Sequence, residues 1–213
     1  MQFEEFVKRM PKLSNLTLLG QDAQFLMAPD ERIRALKDTD IEAKNPRWAG
    51  VMAVFYPNEA GETTLVLILR KTYKGVHSNQ VGFPGGKAEA FDASIEETAL
   101  RETEEEIGVD RDTIEVIKKL TKIYIPPSNF WVQPFIGIVQ SKPVFVKEEA
   151  EVEAILEVPL TEFLDEKKVI KQRIDTSYGT MLEVPAFYLT EHVVWGATAM
   201  MLSEVKWALQ QLD

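Results

Sequence analysis

Hydrophobic and polar positions along this chain follow two different periods, and the change from one to the other marks its elements. Val152, Ala154, Leu156 and Val158 alternate with Glu151, Glu153, Ile155 and Glu157, the two-residue period of a half-buried strand. Residues 49–56 and 64–69, rich in Val, Leu and aromatic side chains, predict two more strands around the turn signal Pro57-Asn58-Glu59-Ala60-Gly61. Residues 114–125 and 131–139 read as strands joined by Pro126-Pro127-Ser128-Asn129, with the residues before each proline biased to extended geometry. Residues 169–174 and 181–188 are strand-like and flank a turn at Ser177-Tyr178-Gly179. Helical spacing predicts short helices over 3–8 and 30–36, in a polar N-terminal arm, and over 161–165. It also predicts a long closing helix over 191–212, with Ala197, Met201, Val205 and Leu209 along one side. There is no internal repeat, low-complexity tract or interdomain linker.

The segment 85–109 changes the picture from fold to chemistry. A Phe83-Pro84-Gly85-Gly86 turn runs into a helix-length segment that concentrates Glu102, Glu104, Glu105 and Glu106. On a helical wheel Glu102, Glu105 and Glu106 share one face, with Thr98 a turn earlier. Ala99, Leu100, Thr103 and Ile107 form a different face suited to packing on a sheet. Glu97, Arg101 and Glu104 point elsewhere, with Arg101 in reach of Glu97 or Glu105. Asp92 or Ser94 suits the N-cap, and Gly108 the position that ends the helix. Two carboxylates about 6 Å apart repel by roughly 2.8 kcal/mol at an effective dielectric near 20, and by about 0.7 in water. A divalent cation between them reverses the sign of that interaction. A solvated acidic face is the plainer alternative. The glycine turn, with a fixed φ and two residues that tolerate positive φ, lets backbone approach a ligand closely.

These residues resemble the Nudix box, Gly-x5-Glu-x7-Arg-Glu-x2-Glu-Glu-x-Gly-apolar, which ends here as Arg101-Glu102-Thr103-Glu104-Glu105-Glu106-Ile107-Gly108-Val109. The resemblance implies Mg²⁺ or Mn²⁺ bound by Glu102, Glu105 and Glu106, with Gly86 offering its carbonyl. Counting from Gly86 gives Asp92 in place of Glu, and Arg101 lies one residue later than the general pattern. That expansion, with Asp at this place, is typical of the coenzyme A pyrophosphatase branch. Val66-Leu67-Ile68-Leu69-Arg70 and His77-Ser78-Asn79-Gln80-Val81-Gly82-Phe83-Pro84-Gly85-Gly86 are similar to the upstream signature of that branch, with Asn79 in place of its usual Gly and Ile68 where Thr is common. Tyr124-Ile125-Pro126-Pro127-Ser128-Asn129-Phe130, Val132-Gln133-Pro134-Phe135 and Val194-Trp195-Gly196-Ala197-Thr198-Ala199 also look like it. The resemblance implies an α/β Nudix fold, a mixed sheet sandwiched between helices. It implies one domain over 1–213, with residues 1–44 as the helical arm and 45–205 as the family-like core.

The implied reaction is hydrolysis of the diphosphate of coenzyme A or an acyl derivative, giving 4′-phosphopantetheine and adenosine 3′,5′-bisphosphate. ADP-ribose or another nucleoside diphosphate derivative is the nearest alternative substrate. A non-catalytic nucleotide-sensing module is the alternative of a different class, opposed by the intact set of glutamates. Glu105, Glu151 and Arg101 are the candidate catalytic residues. Glu151 is favoured as base because Glu151-Val152 before Val158-Pro159-Leu160 resembles the family's pattern, and Glu153 is the runner-up. His77 and His192 are weaker candidates, each lacking a defined partner. Trp195, Met200, Met201 and Trp207 have core-like helical spacing. Phe130 and Trp131, after the double proline, suit a cleft, with core packing preferred for Trp131.

Composition narrows the partners. The chain has 213 residues, a net charge of −10, 45% hydrophobic content and no cysteine. A full core, no disulfide framework and no thiolate metal site follow. The acidic balance opposes nonspecific nucleic-acid binding. No apolar run approaches a membrane span, and Met1-Gln2-Phe3-Glu4-Glu5-Phe6 lacks the features of a secretory leader. A cytoplasmic enzyme acting on a small nucleotide, with a homodimer as candidate assembly, is the expectation. Between Thr63 and Ala88 there is no acidic residue, while Arg70, Lys71, Lys74 and Lys87 are present. That cationic stretch is the candidate substrate-binding segment for phosphates; a solubilising loop is the alternative.

Overall fold

A computed structural model describes residues 1–71, 80–176 and 179–212. Four short helices come first: α1 (Phe3–Val7), α2 (Met10–Asn15), α3 (Gln21–Phe25) and α4 (Asp30–Lys37). Strands β1 (Arg47–Pro57), β2 (Thr63–Arg70), β3 (Val81–Gly82) and β4 (Gly85–Lys87) lead into α5 (Ile95–Ile107). Then follow β5 (Glu115–Lys119), β6 (Ile123–Ile125), β7 (Phe130–Ile138), β8 (Val152–Pro159), α6 (Leu160–Leu164), β9 (Val169–Thr176), β10 (Gly179–Leu189), β11 (His192–Val194) and α7 (Gly196–Gln210).

The main sheet runs β3-β2-β1-β7-β5, with β4 on β1, β6 on β7 and β8 on β2. It is mixed: β1 and β7 pair in parallel, and the other pairings are antiparallel. Along β1, Val51, Ala53 and Phe55 face a core shared with α1, α2 and α7, while Met52, Val54 and Tyr56 face a second core under α5. Burial on both faces explains why β1 reads as a nearly continuous apolar run. A smaller antiparallel sheet, β11-β10-β9, adjoins α7. Among the described residues no helix is long and apolar enough to cross a membrane.

Three expectations are corrected. The N-terminal arm is not polar: Phe3, Phe6, Met10 and Leu13 are buried in the core that contains Phe55 and Leu209. Helices of five or six residues are too short for a 3.6 period to register, so α2 and α3 leave little pattern. The strand over 114–125 is broken into β5 and β6 by its partner. Leu120 N–H donates to the Pro134 carbonyl at 3.0 Å, but Pro134 has no N–H to return. The side-chain amide of Gln133 donates to the Leu120 carbonyl instead, at 2.6 Å. Finally, the closing helix begins only at Gly196, because Thr190 and Glu191 make a positive-φ turn and His192–Val194 pairs with β10. The expected turn residues Ser177 and Tyr178 lie outside the described residues.

Candidate active site

Glycines bring the box together. An added Cβ at Gly50 in β1 would lie 2.4 Å from the Ile95 carbonyl and 2.9 Å from the Ala99 nitrogen, so α5 rests directly on the strand. Gly85 has φ +143°, and a Cβ there would meet the Gly50 carbonyl at 2.4 Å. At Gly86 the added atom would stand 2.2 Å from Glu102 Oε2. The missing side chain is therefore the space that the Glu102 carboxylate occupies. Ser94 caps α5 by accepting from the Glu97 N–H at 3.2 Å, and Gly108 ends it at φ +72°.

Arg101 organises the acids around it. Its guanidinium is buried and forks onto Asp92, Nε to Oδ1 at 2.8 Å and Nη2 to Oδ2 at 2.9 Å. Asp92 Oδ2 also accepts from Thr98 Oγ1 and the Glu89 N–H, each at 2.9 Å. The Arg101 hydrogen bonds hold the Asp92 carboxyl well below the usual range, against the opposing effect of burial. Nη1 donates to Glu102 Oε1 at 2.8 Å and to Glu105 Oε2 at 2.9 Å. The wheel separates Arg101 from the acidic face; a side chain this long reaches across to it.

Glu106 is the buried acid. Its Oε2 accepts from the Gly85 N–H at 2.7 Å, and Oε1 lies 3.1 Å from Arg70 Nη1. The Oε1 contact lacks hydrogen-bond geometry, leaving that buried oxygen without a hydrogen-bond donor. Burial pushes the Glu106 carboxyl up to about 7, opposed by Arg70 and the Gly85 N–H and reinforced by Glu102 and Glu151. Burial also raises Glu102, against the pull of Arg101. A buried carboxylate oxygen without a donor, a second acid packed on a glycine, and mutual repulsion make an all-oxygen environment that suits a hard divalent cation. Glu105 stands apart, its side chain 57% exposed and engaged with Arg101. Accordingly, among the described residues no three acidic or imidazole side chains are already gathered around one point.

The segment carrying Glu151 is tied to the C-terminus of α5. Val146 N–H donates to the Ile107 carbonyl at 3.0 Å and Glu148 N–H to the Glu106 carbonyl at 2.9 Å, partners that the last turn of a helix otherwise lacks. Lys71 N–H then fixes the Glu151 carbonyl at 2.8 Å. The expected shared face of Glu151 and Glu153 does not form. The β2–β8 register shifts between Leu69 and Arg70, and Glu151 precedes β8, in the cavity wall. Glu153 is exposed on β8, away from that wall.

A cavity of about 650 Å³ opens from these acids. Glu102, Glu106, Glu151, Gly86, Arg70 and Lys87 line one end. Arg70 is engaged with the site's own groups, donating to the Gly85 carbonyl at 2.7 Å besides facing Glu106. Lys87 pairs with Glu89 at 3.0 Å, and Lys71 turns its amine to the Glu149 carbonyl. Lys74 and His77 lie outside the described residues. His192 Nδ1 sits 2.6 Å from the Thr190 carbonyl, away from the cavity. Phe130 and Trp195 line the cavity, whereas Trp131 is buried beside it with Nε1 donating to Glu42 at 3.2 Å. Sequence reasoning missed Arg32, Asp175 and Val184, which also line it. Each belongs to an element outside the box and bears no motif, so no local signal marks them.

The NUDIX domain model matches residues 46–176. The chain is similar to the uncharacterized Nudix hydrolase NudL of Yersinia enterocolitica, with 35% identity over 141 residues, 66% of this chain and 71% of that protein. It is similar to the chloroplastic Nudix hydrolase 22 of Arabidopsis thaliana, with 32% identity over 162 residues, 74% of this chain, and it spans 53% of that protein's length. Among solved structures, the Nudix hydrolase RenU of M. smegmatis shares the fold, with a TM-score of 0.54 and 13% identity over 79% of this chain and 88% of that one. With the box geometry in place and the domain model spanning β1 to β9, the chain belongs to the Nudix family of pyrophosphohydrolases.

Proposed function

We propose that this enzyme hydrolyses the diphosphate linkage of coenzyme A or an acyl-coenzyme A, releasing 4′-phosphopantetheine and adenosine 3′,5′-bisphosphate. The observation that carries the reading is the cavity of about 650 Å³, which begins at Glu102 and Glu106 and continues past Val51, Phe130 and Trp195. That is more room, and more apolar wall, than a diphosphate alone requires. The choice of substrate follows the likeness of residues 66–70 and 77–86 to the coenzyme A branch.

Nudix hydrolases use divalent metal ions. Here Glu102, Glu106 and the Gly86 carbonyl would hold Mg²⁺ or Mn²⁺, with Glu105 completing the set by leaving Arg101. The ion supplies charge neutralisation at the phosphoryl oxygens and lowers the pKa of water. The chain's own residues do the rest. Arg101, clamped by Asp92, orients Glu102. Glu151 takes a proton from the attacking water, held in place through its backbone bond to Lys71. Lys87, at the cavity edge, offsets charge on the phosphates. Arg70 keeps Glu106 and the glycine turn in register. One water is consumed and one P–O bond of the bridge is broken.

Incubation with coenzyme A, ADP-ribose and diadenosine polyphosphates plus Mg²⁺ or Mn²⁺, with products identified by mass, tests the reading. Release of 4′-phosphopantetheine is expected. Cleavage of ADP-ribose alone would replace the substrate, and binding without turnover across the panel would replace the enzyme by a sensor.

A further inference from the structure

The cavity joins two ends of opposite charge. The row Lys87–Ala49–Val132–Ile123 crosses the main sheet in register, from β4 through β1 and β7 to β6. Three strand spacings make that row about 14 Å long. The acids stand at the β4 end. At the β6 end Arg32 of α4 lines the same cavity. It is 5% exposed, and its Nη2 donates to the Tyr124 carbonyl at 3.1 Å. That bond fixes one edge of the guanidinium. Between the ends the wall is apolar, with Ala49, Val51 and Val132. Arg32 also lies outside residues 46–176, so this cation is added to the family domain by the N-terminal helices.

A planar guanidinium presents paired donors that match phosphate oxygens. A ligand with its diphosphate at the acidic end and a second anion one nucleoside away spans the row, shortened by side-chain reach at both ends. We infer that Arg32 binds a second, non-scissile phosphate monoester on the nucleoside half of the substrate. In coenzyme A this is the 3′-phosphate of the adenosine, so the inference rests on the reading above. Asp175, the acidic residue in the cavity wall outside the box end, accepts from the Met181 N–H at 2.8 Å.

The test compares kcat/KM for coenzyme A and 3′-dephospho-coenzyme A in the full chain with Mg²⁺. The wild-type enzyme is expected to favour coenzyme A by roughly 10- to 100-fold, the range of a charged hydrogen-bonded contact. Arg32→Gln is expected to bring that ratio within about threefold of unity, through KM for coenzyme A, and Arg32→Lys to restore part of it. A readout that needs no variant is inhibition of the wild type: adenosine 3′,5′-bisphosphate should inhibit at least about tenfold more tightly than AMP. Equal use of both substrates, equal inhibition by both nucleotides, or an Arg32→Gln enzyme that keeps the wild-type ratio would overturn the role of Arg32 alone. Hydrolysis of neither coenzyme A form, with ADP-ribose cleaved, would instead remove the coenzyme A reading and this inference together.

Discussion

Glu102 and Glu106 at one end of the cavity, and Asp92 and Arg101 behind them, come from a single stretch of sequence, positions 92–106; Arg101 joins Asp92 to Glu102, and Glu106 accepts from the Gly85 N–H. At the other end Arg32, Ile125, Val184, Trp195 and Met201 come from α4, β6, β10, the α7 cap and α7 itself. The first region is built around a chemical requirement, since acids this close need cations among them. The second is built by packing, and its residues share a wall only because the chain folds back over β1 and β7. The box acids Glu102 and Glu106 are therefore placed by one local element, whereas the wall that selects a substrate, Arg32 included, is spread over the molecule.

The sharpest way to break this comparison is to remove a charge from the box end without changing its volume. Glu106→Gln is expected to lower kcat by about 10³-fold. Its metal-free melting temperature should stay level or rise, because burial already disfavours the charged form of Glu106. A large loss of stability with little loss of turnover would make Glu106 a structural residue.

Asp92→Asn comes next and acts on stability. Breaking a buried pair by removing one partner costs about 3 kcal/mol, or roughly 6–12 °C in a domain of this size. The pH dependence has a definite sign. The Asp92 carboxyl is held below its ordinary value in the fold, so its contribution is full above about pH 4 and is lost as pH falls below that. Melting curves of the two proteins should therefore converge in acid. A constant difference from pH 7 to pH 2 would contradict the Arg101–Asp92 account.

These two regions were also unequally legible. The box helix, its Gly108 stop and its sheet-facing Ala99 and Ile107 follow from spacing alone, because every determinant lies within a few turns, while the cap, open between Asp92 and Ser94 in the sequence, is Ser94 in the structure. Strands β1, β2, β7 and β8 are legible for the same reason. What spacing does not carry is long-range. The break between β5 and β6 depends on Pro134 of a neighbouring strand. Gly50 reads as an ordinary strand residue until α5 is laid on it. Glu151 and Glu153 look equivalent until the register shift against β2 parts them. The cationic stretch 70–87 reads as a row facing phosphate, yet Arg70 and Lys71 are turned to groups of the chain itself.

The mildest effect is expected at the packed wall. Trp195, half-buried on the cavity side of α7, should on truncation to Ala raise KM by about tenfold and leave kcat within about threefold, since uniform binding is lost and transition-state contacts are not. Loss of kcat with KM unchanged would move Trp195 to the chemical end and erase the distinction between the two regions.

The central claim, that Glu102, Glu106 and Gly86 frame a divalent-cation site, is tested most directly by Mn²⁺ binding measured by electron paramagnetic resonance from pH 5.5 to 8.5. A proton on Glu106, held up to about 7, competes with the ion, so wild-type affinity should climb as pH rises to about 7 and then level. Glu106→Gln should bind at least about tenfold more weakly and lose the part of the rise centred near 7. Equal affinity and an identical pH profile in the two proteins would contradict the claim.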